Sequence, residues 1–438
     1  MSKAITVVER TKALLNGNSF KADHRCNPVF FSRNRVLTFR MLILLMLRKS
    51  LKSAQLVLNE FFDKMNTGVI TVTPGAFTQA RSKMLHTAFI ELNRKAVVET
   101  IYEKDEYEKY RGYRLLGIDG SKVTLPNERD IRQFFGSVRI ANQHESTRGE
   151  YPVGIASVLY DLLNNVAIDA LPGHAKSYEV DLATAHLANY KKIKDLLIFD
   201  RNYPSYFFLA FLIHSGISFL GRCSRSSFKE AREMFGRQMI QSRTVTLKPH
   251  HTKRKQIGKA GLPMKIRVRF VSVLLETGEV GVLVTSLCDE KLWPTEIFKE
   301  LYNTRWGVET FYGTLKERLN LENFTGKTVE SVRQDFYSTV FISGIESVLT
   351  GEARKKLSDK DDKNEYHQLV NKAVSFNTIK NHVTDLFFGE SDTEILLEKL
   401  TRLFMTNPVC ERKNRKFPRK RRPRASLNYH KRFKKIVF

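Results

Sequence analysis

Cysteine is scarce in this chain: four in 438 residues, Cys26, Cys223, Cys288 and Cys410, far apart and without a Cys-x2-Cys pair. That spacing excludes a disulfide framework and a Cys/His zinc site, and the thiols read as reduced residues of a cytosolic protein. Long apolar runs are lacking as well. The most apolar helix-like run, Met41 to Leu47, lies between Arg40 and Arg48 and is far short of the roughly 20 residues that cross a bilayer. The N-terminus, MSKAITVVERTKALL, has neither an extended apolar stretch nor a small-residue cleavage site, so no export is expected. Negative charge is in short supply: 46 Asp and Glu stand against 73 Lys and Arg, a formal net charge of +27. A field of that sign draws a polyanion, nucleic acid before anionic membrane. Hydrophobic residues make up 42% of the chain, ample for a core and for two or three domains.

Residues 1 to about 105 have the apolar periodicity of helices, in VLTFRMLILLML, SAQLVLNEFF and TAFIELNRKAVVETI. Between the last two, VTPGAFTQARSKML reads as a turn and a short helix exposing Thr78, Gln79, Arg81, Ser82 and Lys83. Two readings fit: a helix-turn-helix whose second helix enters the major groove, with Arg81 and Lys83 on DNA, or an αα-hairpin with a polar outer face. From about 106, short apolar runs alternate with helix signals. YRLLGID, YPVGIASVLY, NVAIDAL, DLLIFD and GISFLG read as strands, with helices around Glu179 to Lys192 and Tyr203 to Ile213, which predicts a mixed α/β sheet covered on both faces.

A basic stretch then ends in a hairpin, MKIRVRFVSVLL and VGVLVTSL around ETGE, where Ile266, Val268 and Phe270 alternate with Lys265, Arg267 and Arg269. One face is expected in the core and the other to carry cations. VESVRQDFYSTVFISGIESVL reads as a buried closing helix, and residues from about 351 as polar and partly helical. The last segment, ERKNRKFPRKRRPRASLNYHKRFKKIVF, is about half Lys and Arg, with Arg419, Arg421 and Arg422 at its centre. It is either a solvated tail or a clamp that orders on phosphates.

The segment LYNTRWGVETFYGTLKERL carries the chemistry. Tyr302, Arg305, Glu309 and Lys316 fall at offsets of three, seven and fourteen, which on one continuous α-helix places them within an arc of roughly 60°. That face is either a phosphate-binding surface with one carboxylate or a solvated face with an Arg305–Glu309 ion pair. Asp119 follows LLGI and Asp200 follows LLIF, each at the end of an apolar strand. Singly, such an Asp caps a turn or a helix. If their strands are neighbours and Glu309 faces them, three carboxylates converge, an arrangement that divalent cations neutralise. Trp293 and Trp306 are candidates for stacking on a base or for the core, Trp306 reading as core because it lies on a different arc.

The pattern Tyr302-x2-Arg305-x3-Glu309-x6-Lys316, with Trp306, Phe311 and the Leu315-Lys316 pair, resembles the YREK signature of the insertion sequence four (IS-four) family of DDE transposases. LLGIDGSKVTLP with Asp119 and LLIFDRNYPS with Asp200 match its other acidic blocks, so the resemblance runs from about Leu115 to Lys327. It implies an RNase H-like mixed-sheet catalytic domain over 106–350, with a β-rich insertion at about 222–290. An all-helical DNA-binding domain (1–105) precedes it, and a helical region with a basic tail (351–438) follows.

The resemblance further implies Asp119, Asp200 and Glu309 as catalytic ligands of two Mg²⁺ ions, Mn²⁺ substituting. Tyr302, Arg305 and Lys316 would contact the terminal nucleotides of double-stranded DNA, in a homodimer that pairs two transposon ends in the bacterial cytosol, at the nucleoid. The expected activity is cut-and-paste transposition, by strand cleavage and then strand transfer at phosphorus. A silent DNA-binding regulator derived from a transposase and an RNase H-like nuclease without strand transfer are the alternatives.

Overall fold

The computed structural model describes residues 2–33, 35–65, 72–140, 149–235, 241–275, 278–360, 366–389 and 392–411. The expected tail contacts Arg419, Arg421 and Arg422 lie outside these residues. The chain forms two compact units, one of Met1–Glu106, Lys122–Gly154 and Gly313–Phe438, the other of Tyr107–Ser121 and Ile155–Tyr312. These boundaries depart from those expected at 105 and 350, because residues after Tyr312 belong with the N-terminal helices.

The first unit is built around the helix Val329–Leu349, opened by a capping box in which Thr328 and Ser331 exchange side-chain to backbone bonds. This helix is buried on nearly every side and packs on the N-terminal helices Lys3–Asn16, Phe39–Leu47 and Thr87–Leu92. Close approach is possible because residue 344 is glycine: a Cβ there would stand 3.0 Å from Val97 Cγ1. Phe39–Leu47 is the short apolar run of the sequence, buried inside this unit. Among the described residues no helix is long and apolar enough to cross a membrane.

Arg81 corrects the helix-turn-helix expectation in part. The helix Pro74–Arg81 exists, with Pro74 at its first turn and a Thr73 cap, and Thr78, Gln79 and Ser82 are exposed. Arg81 itself is only 3% exposed. Its guanidinium donates to Gln334 Oε1 at 2.6 Å, the Ser331 carbonyl at 2.7 Å, Thr325 Oγ1 at 2.6 Å and Asp335 Oδ1 at 2.8 Å. It therefore ties the short helix to the long one rather than facing a groove. Lys83 is half-buried, with its ammonium 5.5 Å from the Phe30 ring centroid.

The second unit is a mixed sheet. Its strands are β1 (Arg114–Thr124) as far as Ser121, β3 (Gly149–Asp161) from Ile155, β4 (Val166–His174), β5 (Asp195–Phe199), β6 (Ser218–Arg222), β7 (Ser242–Leu247), β8 (Ile266–Leu274) and β9 (Val280–Thr285); β2 (Ser137–Ile140) pairs with the first residues of β3, which like it belong to the first unit. The order is β3-β1-β5-β6-β9-β8-β7, with β4 beside β3. The pairs β1–β5 and β5–β6 are parallel, whereas β6–β9, β9–β8 and β8–β7 are antiparallel.

The stretch expected as a β-rich insertion thus extends the main sheet through β9. Its core joins Leu115, Leu196, Ile198, Leu220, Val271, Leu283 and Trp293. The expected row of cations on β8 is only half present: Arg267 is exposed, but Arg269 is 0% exposed. Arg269 donates to Ser242 Oγ at 2.6 Å, the Trp293 carbonyl at 2.6 Å and Thr295 Oγ1 at 2.8 Å, a use of all three guanidinium nitrogens that removes it from any DNA surface.

Candidate active site

β1 and β5 run side by side in parallel, with Ile118 opposite Phe199. The residues that follow this pair are Asp119 and Asp200, on adjoining strands; Asp200 directly follows β5, whereas Asp119 lies within β1, which runs on to Thr124 and so does not end at the aspartate as expected. β1 is fully buried from Arg114 to Ile118 and only half-buried from Asp119 to Ser121, which marks where the strand passes from core to site.

Glu309 comes from the segment after the sheet. That segment is not one α-helix: Ile297–Asn303 ends, the chain turns at Thr304 and Arg305, Trp306–Gly313 follows, and Thr314–Arg318 winds as a π-helix. The single arc expected for Tyr302, Arg305, Glu309 and Lys316 therefore does not exist, since each break resets the angular register. Two features place the Trp306–Gly313 helix on the strands. Tyr312 donates its hydroxyl to the carbonyls of Asp119 and Ala156, each at 2.8 Å. Gly307 leaves room for Leu162, whose Cδ2 would lie 2.9 Å from a Cβ at that position.

Arg305, 6% exposed, places Nη2 2.7 Å from Glu309 Oε1, the i, i+4 pair weighed from spacing. Tyr302, also buried, donates to Asp200 Oδ1 at 3.3 Å. Lys316 belongs to the first unit, where its ammonium donates to the Lys122 carbonyl at 2.7 Å and burial lowers its pKa. Trp306, expected in the core, is 48% exposed with the Arg305 guanidinium 5.3 Å from its ring centroid, and Trp293, open between stacking and core, is core at 7% exposure.

Electrostatics join these groups. Burial pushes the Asp119 carboxyl up to about 6; the Gly120 N–H and Arg305 oppose the shift, and Glu179 and Glu309 add to it. Glu179, the first residue of the helix Glu179–Asn189, belongs to none of the acidic blocks that carry the resemblance. Its Oε1 lies where a Cβ on Gly120 would be 3.2 Å away, and its Oε2 is 3.4 Å from Asn202 Nδ2. Burial raises its pKa, and the charge of Asp200 adds to this. The clue available in sequence was an acid opening the helix between the two aspartate strands.

The donor set, carboxylate oxygens with no thiolate or imidazole among them, suits a hard divalent cation. The spacing is wider than a ligand shell: among the described residues no group of three His, Cys, Asp or Glu stands close enough to hold a metal ion. The structure thus brings Asp119, Asp200 and Glu309 into one electrostatic neighbourhood without gathering them to a point. Like charges repel at this range, and the Arg305 guanidinium holds Glu309 to itself.

Behind the site, His186 bonds Asp169 at 2.7 Å and Ser157 at 3.0 Å. Ser157 and His186 are 1% and 0% exposed, so this Ser-His-Asp arrangement is closed to any substrate and fastens the Glu179 helix to β3 and β4.

Residues 110–343, more than half of the chain, match the family model described as the transposase DDE domain, and the chain belongs to that family. It is similar to the putative transposase InsZ of Escherichia coli (strain K12), 24% identical over 174 residues, which are 40% of this chain and 55% of that protein. The chain therefore spans about half the length of that curated relative. Among solved structures, a match is the piggyBac transposase synaptic complex with hairpin DNA, at a TM-score of 0.43 and 12% identity, covering 91% of this chain and 82% of that one.

Proposed function

We propose that this protein is a cut-and-paste transposase of the IS-four type, with Tyr302, Arg305, Glu309 and Lys316 as its YREK residues. It binds the terminal inverted repeats of an insertion sequence as a homodimer, then cleaves and joins DNA strands by phosphoryl transfer. The observation that carries this reading is the position of Asp119 and Asp200 directly after the paired residues Ile118 and Phe199 of adjoining parallel strands, with Glu309 near enough for its charge to act on Asp119. The strand order β4-β3-β1-β5-β6 supports an RNase H-like core for the catalytic domain.

In this reading Asp119, Asp200 and Glu309 hold Mg²⁺ or Mn²⁺, two ions in all, which when bound activate the attacking oxygen and stabilise the leaving one. The buried Nε of Arg305 has no partner among the described residues and so retains donor capacity for a phosphate beyond the Glu309 pair. Tyr302 orients Asp200, and Lys316 supplies a point charge for the DNA end. Exposed Trp306 is the candidate to stack on a displaced base. DNA approaches a strongly basic chain. In the first unit, Lys21, Arg33, Arg35, Gln79 and Lys83 line a cavity of about 1000 Å³ suited to phosphates. Arg267 and the tail arginines Arg419, Arg421 and Arg422 add to this attraction.

The test uses purified protein, Mg²⁺ and a duplex carrying the inverted repeat that flanks the coding sequence. Nicking that is lost in Asp119→Asn, Asp200→Asn and Glu309→Gln, with DNA binding kept, is the expected result. Full nicking by any of the three removes that residue from the site. Joining of pre-cleaved ends separates a transposase from a nuclease.

A further inference from the structure

We propose that Glu179 is a further metal-binding carboxylate of this site, and that the Tyr203 hydroxyl is a positioning group that donates to the acids once a divalent cation has drawn them together. The inference rests on the transposase reading above and extends its ligand set. Two independent observations carry it.

The first is the position of the Glu179 carboxylate. One oxygen lies against the backbone of Gly120, the residue after Asp119, where a Cβ would be 3.2 Å away; the other is 3.4 Å from the amide of Asn202, two residues after Asp200. Glu179 thus sits beside the residues that follow Asp119 and Asp200, on a helix that the buried His186 network fixes to the sheet. It is half-buried, so solvent and ions still reach it.

The second is Tyr203. Its side chain is 0% exposed, its hydroxyl has no hydrogen-bond partner among the described residues, and the charges that act on it are those of Glu179, Asp119 and Asp200, opposed by that of Arg305. A buried donor left unpaired costs stability, and such groups persist where a ligand-bound arrangement uses them. Phe199 and Phe208 pack around the ring and hold it in this place. A carboxylate at a helix N-terminus also has a purely structural use, favourable interaction with the helix dipole. Asp181, exposed in the same first turn, shares that use and lacks the neighbours of Glu179, which makes it the control.

The experiment is Mn²⁺ binding to the full chain without DNA, followed by electron paramagnetic resonance, with a thermal melt of each sample to confirm folding. Glu179→Gln and Asp119→Asn are expected to weaken Mn²⁺ at least tenfold, Tyr203→Phe severalfold, and Asp181→Asn not at all. Tyr203→Phe is further expected to melt no lower than the parent when no metal is added, because the hydroxyl has no partner to lose. Unchanged binding in Glu179→Gln beside weakened binding in Asp119→Asn overturns the inference and leaves the transposase site standing. Unchanged binding in both overturns the site and the inference with it.

Discussion

Arg305 and Glu309 form an ion pair of 2.7 Å in which the guanidinium is buried and the carboxylate is 38% exposed. The pair joins two groups of opposite affinity, one for phosphate and one for a cation, and removing one member releases the other. Arg305→Met is therefore expected to raise Mn²⁺ affinity, because Glu309 loses its competitor and remains hydrated. The same change is expected to weaken binding to transposon-end DNA by roughly tenfold or more, the loss of a charge-assisted contact. Isothermal titration with each ligand checks both signs.

Asp119 offers a trade between stability and function. Its carboxyl is pushed up to about 6 from an ordinary 3.8, chiefly by burial. Between those pH values the folded chain keeps a proton that the unfolded chain releases, so this group's contribution to stability falls as pH rises, and its full cost is present above about 6. Asp119→Asn is expected to melt higher than the parent at pH 7.5, by on the order of 1–3 kcal/mol, with the gap closing below about pH 4. Thermal melts across pH in chelator show it.

Arg81 was expected on DNA and lies in the fold instead. Arg81→Ala leaves Asp335, 2% exposed, without its cation, and the expected cost is about 3–5 kcal/mol in chemical denaturation of the first unit. DNA affinity should follow the folded fraction only. Gln79→Ala and Lys83→Ala, on the outward side of the same turn, are expected to leave stability within about 0.5 kcal/mol and to reduce DNA binding.

Two buried lysines give the first unit an alkaline optimum. Burial lowers Lys49 to about 8 from 10.5, and Lys380, whose ammonium donates to the Lys49 carbonyl at 2.9 Å, is also lowered to about 8. Between pH 8 and 10.5 the unfolded chain binds the extra protons, so these groups make stability rise with pH, and their cost is greatest below 8. Lys49→Met is expected to stabilise the protein at pH 7 by on the order of 1–3 kcal/mol, and progressively less toward pH 10.5. Melts of both proteins from pH 7 to 10 check this.

The strands beside Asp119 and Asp200 were legible because Arg114–Ile118 of β1 and all of β5 are buried and their apolar runs lead straight into the two aspartates. Their adjacency was not, since pairing of strands this far apart in sequence leaves no local trace. The break at Thr304–Arg305 escaped because apolar spacing continues across it. Arg81 and Arg269 were mistaken for surface cations because helical and strand periodicity place a side chain on a face without telling whether another element covers that face. Trp306 read as core for a related reason: an arc computed on one continuous helix has no meaning once the helix is broken. Glu179 lacked a motif, and only the fold sets it beside Gly120.

The central claim is that Asp119, within β1, Asp200, directly after β5, and Glu309 share divalent metal. The most direct measurement is the anomalous scattering of Mn²⁺ in crystals of the full chain bound to duplex transposon-end DNA. Density between the Asp119 and Asp200 carboxylates, with Glu309 turned from Arg305 toward it, is the expected result. Mn²⁺ bound elsewhere, or these three acids still apart with DNA in place, would contradict it.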